Sequence, residues 1–218
     1  MSGIYQSNSI EMKLKVCGMK HEDNIQSIAE LQPDYMGFIF YPKSKRNFEN
    51  HIPKLSKDIK KTGVFVNMPV AEIIEKIEQY DLQAVQLHGD ESVEIVKELK
   101  SEKPNIEIIK VFGIKDEFEF SILEDYADAV DYFLFDTKGK ERGGNGVKFD
   151  WSVLKKYHLK TPFILSGGIS PDDIDAIKEI TKSGLPIYGL DINSKFEIEP
   201  GLKHIEEVKG FKNNLNEL

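Results

Sequence analysis

The chain has one cysteine, Cys17, in the run "LKVCGMK" (14–20). It closes a strand-like segment whose two-residue period puts Lys13, Lys15 and Cys17 on one face and Leu14 and Val16 on the other. An ammonium on the cysteine's own face favours thiolate over thiol and is expected to pull its pKa below the usual ~8.5, as a base or nucleophile requires. A lone cysteine is also often a small buried hydrophobe, and the local residues leave both readings open. Asp136 ends the apolar run "YFLFD" (132–136), just ahead of a Gly-rich stretch, "GKERGGNGV" (139–147). Partial desolvation there raises a carboxyl pKa and lets it donate a proton near neutrality. Lys138 or Arg142 would oppose that by stabilising the anion, and a plain turn-capping carboxylate is the alternative.

Other residues suit anions. "SGGISPDD" (166–173) offers Gly167 and Gly168, whose backbone N–H groups can approach a phosphate, followed by the positive end of a helix. "DINS" (191–194) brings Asp191, Asn193 and Ser194 to a strand end. Arg46 closes "YPKSKR" (41–46), and a guanidinium can grip a carboxylate through two parallel hydrogen bonds. His88 in "VQLHGDE" (85–91) could act as a base, although the segment also reads as a turn and helix cap. There is no HExxH, CxxC or paired-histidine spacing, and no Gly-Lys-Ser/Thr completes a phosphate loop. The sequence therefore points to no metal and no nucleotide site.

The elements that must position these residues recur in order. Short β-branched or aromatic runs occupy 12–17, 35–40, 63–67, 82–87, 106–112, 132–136, 162–166 and 186–191, each followed by a helix candidate. The clearest helix is "SPDDIDAIKEITKSG", with Ser170 as N-cap, acids in its first turn and Gly184 at its end. The weakest lies near "NFENHIPKLSKDI", where Pro53 interrupts it. Strict alternation implies parallel strands with crossover connections. Eight units in 218 residues fit a compact α/β fold, the (β/α)8 TIM barrel, as a single domain. A doubly wound open sheet would carry a Gly-rich turn after its first strand, where only Gly18 stands. In a barrel the strand C-terminal ends hold the site, and the loops after strands seven and eight are its recurrent phosphate position. Six of the eight strand ends here carry polar or reactive groups.

The bulk numbers bound the partners. Hydrophobic residues make up 40% and charged residues 30%, with a net charge of -8, and no basic stripe with interleaved aromatics occurs. Nucleic acid is thus not an expected partner, and the longest apolar runs fall far short of a membrane span. Residues 1–11 read as a short polar leader with no apolar signal core, and 12–218 as the barrel. One cysteine allows no internal disulfide, which suits the reducing cytoplasm.

With these residues assembled, the chain resembles the phosphoribosylanthranilate isomerases, (β/α)8 enzymes of tryptophan biosynthesis. The likeness rests on "KVCG", "GFIFYPKSKR", "GVFVN", "VQLHGDE", "FDTK…GGNGVKFDW", "ILSGGISPDDI" and "GLDINSKFEIEPG", in order and at barrel spacing. It implies Cys17 as general base, Asp136 as general acid and Arg46 as the anthranilate carboxylate's ligand. It further implies Gly167, Gly168, Asn193 and Ser194 around the phosphate, with Asp191 by the sugar. The implied reaction is an Amadori rearrangement of a small phosphosugar substrate, without metal or cofactor, by a monomer or homodimer. Lys45 and Lys195 depart from the family's usual Pro and small residue. A histidine-pathway aminoaldose isomerase would be expected to carry aspartate in place of Cys17. A non-catalytic phosphosugar-binding barrel would have little reason to keep Cys17, Asp136 and Arg46 together.

Overall fold

The computed structural model describes residues 12–115, 117–137 and 149–217. The leader at 1–11 and the Gly-rich stretch, with Lys138 and Arg142, lie outside the described residues. Eight parallel strands form a closed barrel: β1 (Lys13–Val16), β2 (Tyr35–Ile39), β3 (Lys60–Phe65), β4 (Ala84–Leu87), β5 (Glu107–Ile114), β6 (Tyr132–Thr137), β7 (Phe163–Leu165) and β8 (Ile187–Ile192). Closure comes from β8 pairing with β1, with Leu14 opposite Leu190 and Lys15 opposite Asp191. Helices α1 (Glu22–Glu30), α2 (Val70–Tyr80), α3 (Val93–Glu102), α4 (Ile174–Thr181) and α5 (Ile205–Asn216) lie around it. A short antiparallel hairpin, β9 (Glu197–Glu199) and β10 (Leu202–Lys203), follows β8. Among the described residues no helix is long and apolar enough to cross a membrane.

Strand alternation sorts the side chains into two cores. Leu14, Val16, Val85, Leu87, Leu190 and Ile192 belong to the large core beneath the helices. Ile109, Val111, Leu134 and Ile164 form a separate apolar cluster on the opposite face of their strands, inside the barrel. Lys15, Gln86 and Asp191, each flanked by outward apolar neighbours, are buried in the same interior. At the N-terminal end the Tyr35 hydroxyl donates to Glu107 at 2.9 Å and meets the Tyr188 hydroxyl at 3.0 Å, while Lys60 pairs with Glu107. This polar layer explains why β3 begins at Lys60, earlier than its apolar residues suggest.

Three of the expected crossover helices are corrected. No helix follows β2; the chain from Phe40 to Ile59 runs as loop and turns. Pro53 is buried in it and cannot donate a helical hydrogen bond. Aromatic packing replaces the helix: Phe48 packs edge-on against Phe38 at 5.0 Å between centroids, and Phe40 lies 4.9 Å from Tyr80. After β5 and β6 the segments Phe120–Tyr126 and Trp151–Lys156 are 3-10 helices. In the first, the inward residues Phe120, Leu123 and Tyr126 recur every third position, and three residues per turn align such a row where 3.6 would not; the second buries the adjacent pair Val153 and Leu154. The helix expected from Ser170 forms as read, opening with a 3-10 turn at Pro171–Asp173 in which Ser170 N–H and Oγ both donate to Asp173.

Phe48 is the buried anchor of the helix-free segment. Truncating it to alanine leaves a cavity and is expected to cost about 3 kcal/mol. Urea unfolding would register this as a lower midpoint with an unchanged slope.

Candidate active site

Cys17 directly follows β1, and its backbone N–H donates to the Ile192 carbonyl at 2.9 Å, which ties it to the end of β8. The thiol is 3% exposed and in hydrogen-bond contact with the Lys15 ammonium. Lys15 also donates to Asp191 at 2.7 Å, and the Ser166 hydroxyl donates to the other Asp191 oxygen at 3.3 Å. Burial works hardest against the Lys15 charge, yet Asp191 and Cys17 together hold its pKa above the ordinary value. The expectation for Cys17 is reversed. Burial pushes the thiol up, Asp191 adds to that, and the pull of Lys15 does not overcome them.

Asp136 at the top of β6 is 8% exposed. One carboxylate oxygen accepts the Thr137 N–H at 2.8 Å, and the other lies 3.5 Å from His88 Nε2. His88 is set in turn by Gln86, whose amide nitrogen is 3.1 Å from Nδ1. With the Gln86 amide donating to Nδ1, the ring keeps its proton on Nε2, facing Asp136. The 88–91 turn is held from below by a buried ion pair between Lys110 and Glu91 at 3.0 Å, and Glu91 also accepts the backbone N–H groups of Asn67 and Gly89. His88 therefore belongs beside the acid, a partnership that a turn-like "HGDE" did not signal.

The phosphate candidates surround the same mouth. Gly167 and Gly168 both have positive φ, at 91° and 69°. A Cβ on Gly167 would sit 2.4 Å from Thr137 Oγ1 and 3.0 Å from Asp136 Oδ1, so that turn lies directly against the acid. Asn193 and Ser194 begin the short 3-10 turn Ser194–Phe196 after β8. The Asn193 side-chain oxygen is engaged, accepting from Lys203 Nζ at 2.7 Å, while its amide nitrogen has no hydrogen-bond partner among the described residues. Asp191, expected beside a sugar, is committed on both oxygens to Lys15 and Ser166 at the mouth's floor.

Arg46 stands on the rim after β2. Its Nε donates to Glu197 at 2.9 Å and Nη2 does so at 2.5 Å, a two-pronged grip on a carboxylate of the chain itself. Glu197 also receives Lys203 Nζ at 2.7 Å and the Gly201 N–H at 3.0 Å. Burial works upward on Glu197, but Arg46 and Lys203 bring it below the ordinary carboxylate value. Lys203, fully buried on β10, is lowered to about 8 by desolvation, against the opposing pull of Glu197. Gly18, at φ 76°, has no room for a side chain: a Cβ would lie 2.7 Å from both Arg46 Cδ and Asn193 Oδ1. The glycine after the cysteine thus lets the two rim groups close over it. Glu197 and Lys203 were not singled out as site residues, because "FEIEPGLKH" reads as a polar loop with no reactive spacing.

Every described candidate from the sequence thus lies at one end of the barrel. The comparisons with known proteins agree in kind. A family model described as N-(5'phosphoribosyl)anthranilate (PRA) isomerase matches residues 14–214. A protein from Parabacteroides distasonis, named N-(5'-phosphoribosyl)anthranilate isomerase, is 43% identical over 207 residues, covering 92% of this chain and 91% of its own. The crystal structure of phosphoribosyl anthranilate isomerase from Thermus thermophilus matches with a TM-score of 0.79 at 25% identity, over 94% of this chain and 98% of that one. Another solved isomerase, in complex with reduced 1-(o-carboxyphenylamino)-1-deoxyribulose 5-phosphate, matches at 0.73 and 26% identity, over 95% and 100%.

The balance of forces on Cys17 can be measured by thiolate absorbance, as the difference between wild type and Cys17→Ala across a pH titration. The midpoint is expected above the ordinary thiol value, because burial disfavours the anion. Lys15→Met removes the cation that is hydrogen-bonded to the thiol and leaves the weaker pull of Lys203, so its midpoint should move higher still. A midpoint that falls in Lys15→Met would contradict this assignment of causes.

Proposed function

Because the chain belongs to the N-(5'-phosphoribosyl)anthranilate isomerase family, we propose that Cys17 is the general base and Asp136 the general acid of its reaction. The enzyme converts N-(5'-phosphoribosyl)anthranilate into 1-(2-carboxyphenylamino)-1-deoxyribulose 5-phosphate in tryptophan biosynthesis, by an Amadori rearrangement. The observation that carries the residue roles is a continuous chain of contacts around the mouth. It runs from Cys17 through Lys15, Asp191 and Ser166, whose neighbour Gly167 abuts Asp136.

Asp136 gives its proton to the furanose ring oxygen as the bond from that oxygen to C1' breaks, and the anilino nitrogen's lone pair forms the iminium. The iminium acidifies C2', and the Cys17 thiolate removes the proton there. The resulting enolamine loses its hydroxyl proton and gains one at C1' to become the ketone. Cys17 then holds one proton too many and Asp136 one too few, so a net transfer through solvent resets the site. His88 Nε2–H faces Asp136 and stabilises the carboxylate formed in the first step. Lys15 plays the matching part for the thiolate. No step calls on a metal or redox cofactor.

In this reading Arg46 receives the anthranilate carboxylate, and Gly167, Gly168, Asn193 and Ser194 receive the phosphate. Anchoring both ends of the substrate holds C2' and the ring oxygen between base and acid, a positioning effect that can exceed either proton transfer. Asp191 acts beneath the sugar by keeping Lys15 charged and in place. The catalytic unit is assigned to 12–218, working in the cytoplasm as a monomer or homodimer, with no nucleic-acid or membrane partner.

Fluorescence-monitored turnover of freshly made phosphoribosylanthranilate tests the assignment. Cys17→Ser and Asp136→Asn should each lower kcat by roughly 10²–10⁴ while the variants keep the wild-type fold. Near-full turnover in either would remove that residue from its role. In wild type, kcat/KM should rise with pH through the elevated Cys17 pKa, since the base works only as the anion.

A further inference from the structure

Glu197 presents a difficulty for a substrate carboxylate. It already takes one edge of the Arg46 guanidinium through Nε and Nη2, and a carboxylate so paired cancels the arginine's charge. The opposite edge, Nη1 with the second Nη2 hydrogen, has no partner among the described residues. The side chain of Arg46 is 14% exposed and that of Glu197 4%, so the accessible side of the pair belongs to the guanidinium. What the pair lacks is net positive charge.

Lys203 supplies it. Its ammonium is wholly buried and donates to Glu197, to the Asn193 side-chain oxygen and to the Asn193 carbonyl. Its backbone is locked to α1 by Asn24, which donates to the Lys203 carbonyl at 2.9 Å and accepts its N–H at 2.8 Å. Two cations against one carboxylate leave a single positive charge, and the arginine is the member of the trio that a ligand can reach. Burying an ammonium is costly, so its placement with three acceptors from the phosphate loop and the arginine's own partner is informative.

We propose that Lys203 is a positioning residue for the isomerase reaction, offsetting Glu197 so that Arg46 stays available to the anthranilate carboxylate while Asn193 is held in place. The inference rests on the reading of Arg46 as the carboxylate's ligand. It distinguishes charge from shape. Glu197 supplies Arg46 with an acceptor for aim, and a neutral amide would do that as well. Lys203 neutralises what Glu197 brings with it.

Steady-state kinetics on four full-length variants separate these claims. Lys203→Met should raise KM about tenfold, the equivalent of about 1.4 kcal/mol, with kcat within about threefold of wild type. Adding Glu197→Gln to Lys203→Met should return KM to within about threefold, because the offset is then unnecessary. A double variant no better than Lys203→Met would overturn the proposal. So would an unchanged KM in Lys203→Met. Should Lys203→Met not fold, Glu197→Gln alone decides: KM at or below wild type supports the charge offset, and a tenfold rise refutes it. Arg46→Ala is the control on the underlying reading. If it leaves KM unchanged, the carboxylate assignment falls and takes this inference with it. If it raises KM while Lys203→Met does not, only the inference on Lys203 is lost.

Discussion

The barrel closes where β8 meets β1, and at that seam Lys15 stands opposite Asp191 in register. Both strands turn their apolar residues outward to the helices, so whatever lies between those residues must face the interior. Here the interior receives an ammonium and a carboxylate, 2.7 Å apart and almost wholly out of water. Such a pair adds little net stability, because the cost of desolvating two ions roughly cancels their attraction. Losing one partner is another matter, since it strands a buried charge at several kcal/mol. The seam therefore commits the rest of the mouth. Once Lys15 is charged, the cysteine two residues along the same face has a cation beside it. Once Asp191 is charged, Ser166 has an acceptor that fixes the end of β7 and, with it, the Gly167–Gly168 turn.

The protonation balance at Cys17 follows from the same geometry. A thiol beside a lysine invites the conclusion that it is easily ionised, but that treats the ammonium as isolated. Asp191 is bonded to the same ammonium and returns a negative charge to the thiol's surroundings, while burial withdraws the water that would solvate a thiolate. In the role proposed for it, a thiol that burial makes harder to ionise still serves, because the adjacent iminium makes the proton to be removed acidic. It is also a stronger base when ionised.

Much of this was legible in the sequence because strand ends are easy to find and barrel topology is strict. Cys17, Asp136, Asp191 and the glycines at 167–168 each close or follow a run of β-formers, and counting runs was enough to bring them to one face. What escaped was packing that has no local pattern. The helix expected after β2 is replaced by Phe40, Phe48 and Tyr80 packing edge-on or tilted against one another, and aromatic contacts across distant segments leave no period to read. The 3-10 segment after β5 did have a period, three rather than 3.6, and an α-helical template absorbs the difference over only two turns. β3 began early because Lys60 and Lys61 look like loop residues until Glu107 and Asp81 are placed beside them.

The residues missed at the site, Glu197, Lys203 and the partner role of His88, share one property. Each is seen through its contact with another side chain, Asp136, Arg46, Asn193 or one another, so its type alone carries no catalytic signature. Their contribution is nonetheless electrostatic and concrete. A chain with net charge -8 must bind a substrate bearing both a phosphate and a carboxylate, and its average field repels such a molecule. The repulsion is overcome only locally. Lys15, Arg46 and Lys203 gather three positive charges at one mouth, with Asp191 and Glu197 the carboxylates bonded to them. Each carboxylate offsets one positive charge and at the same time holds a buried lysine in its charged form, since burial alone would drive Lys15 and Lys203 toward the neutral amine. With three cations bonded to two carboxylates, the group keeps one net positive charge, and the acids are what let the two lysines stay charged out of water.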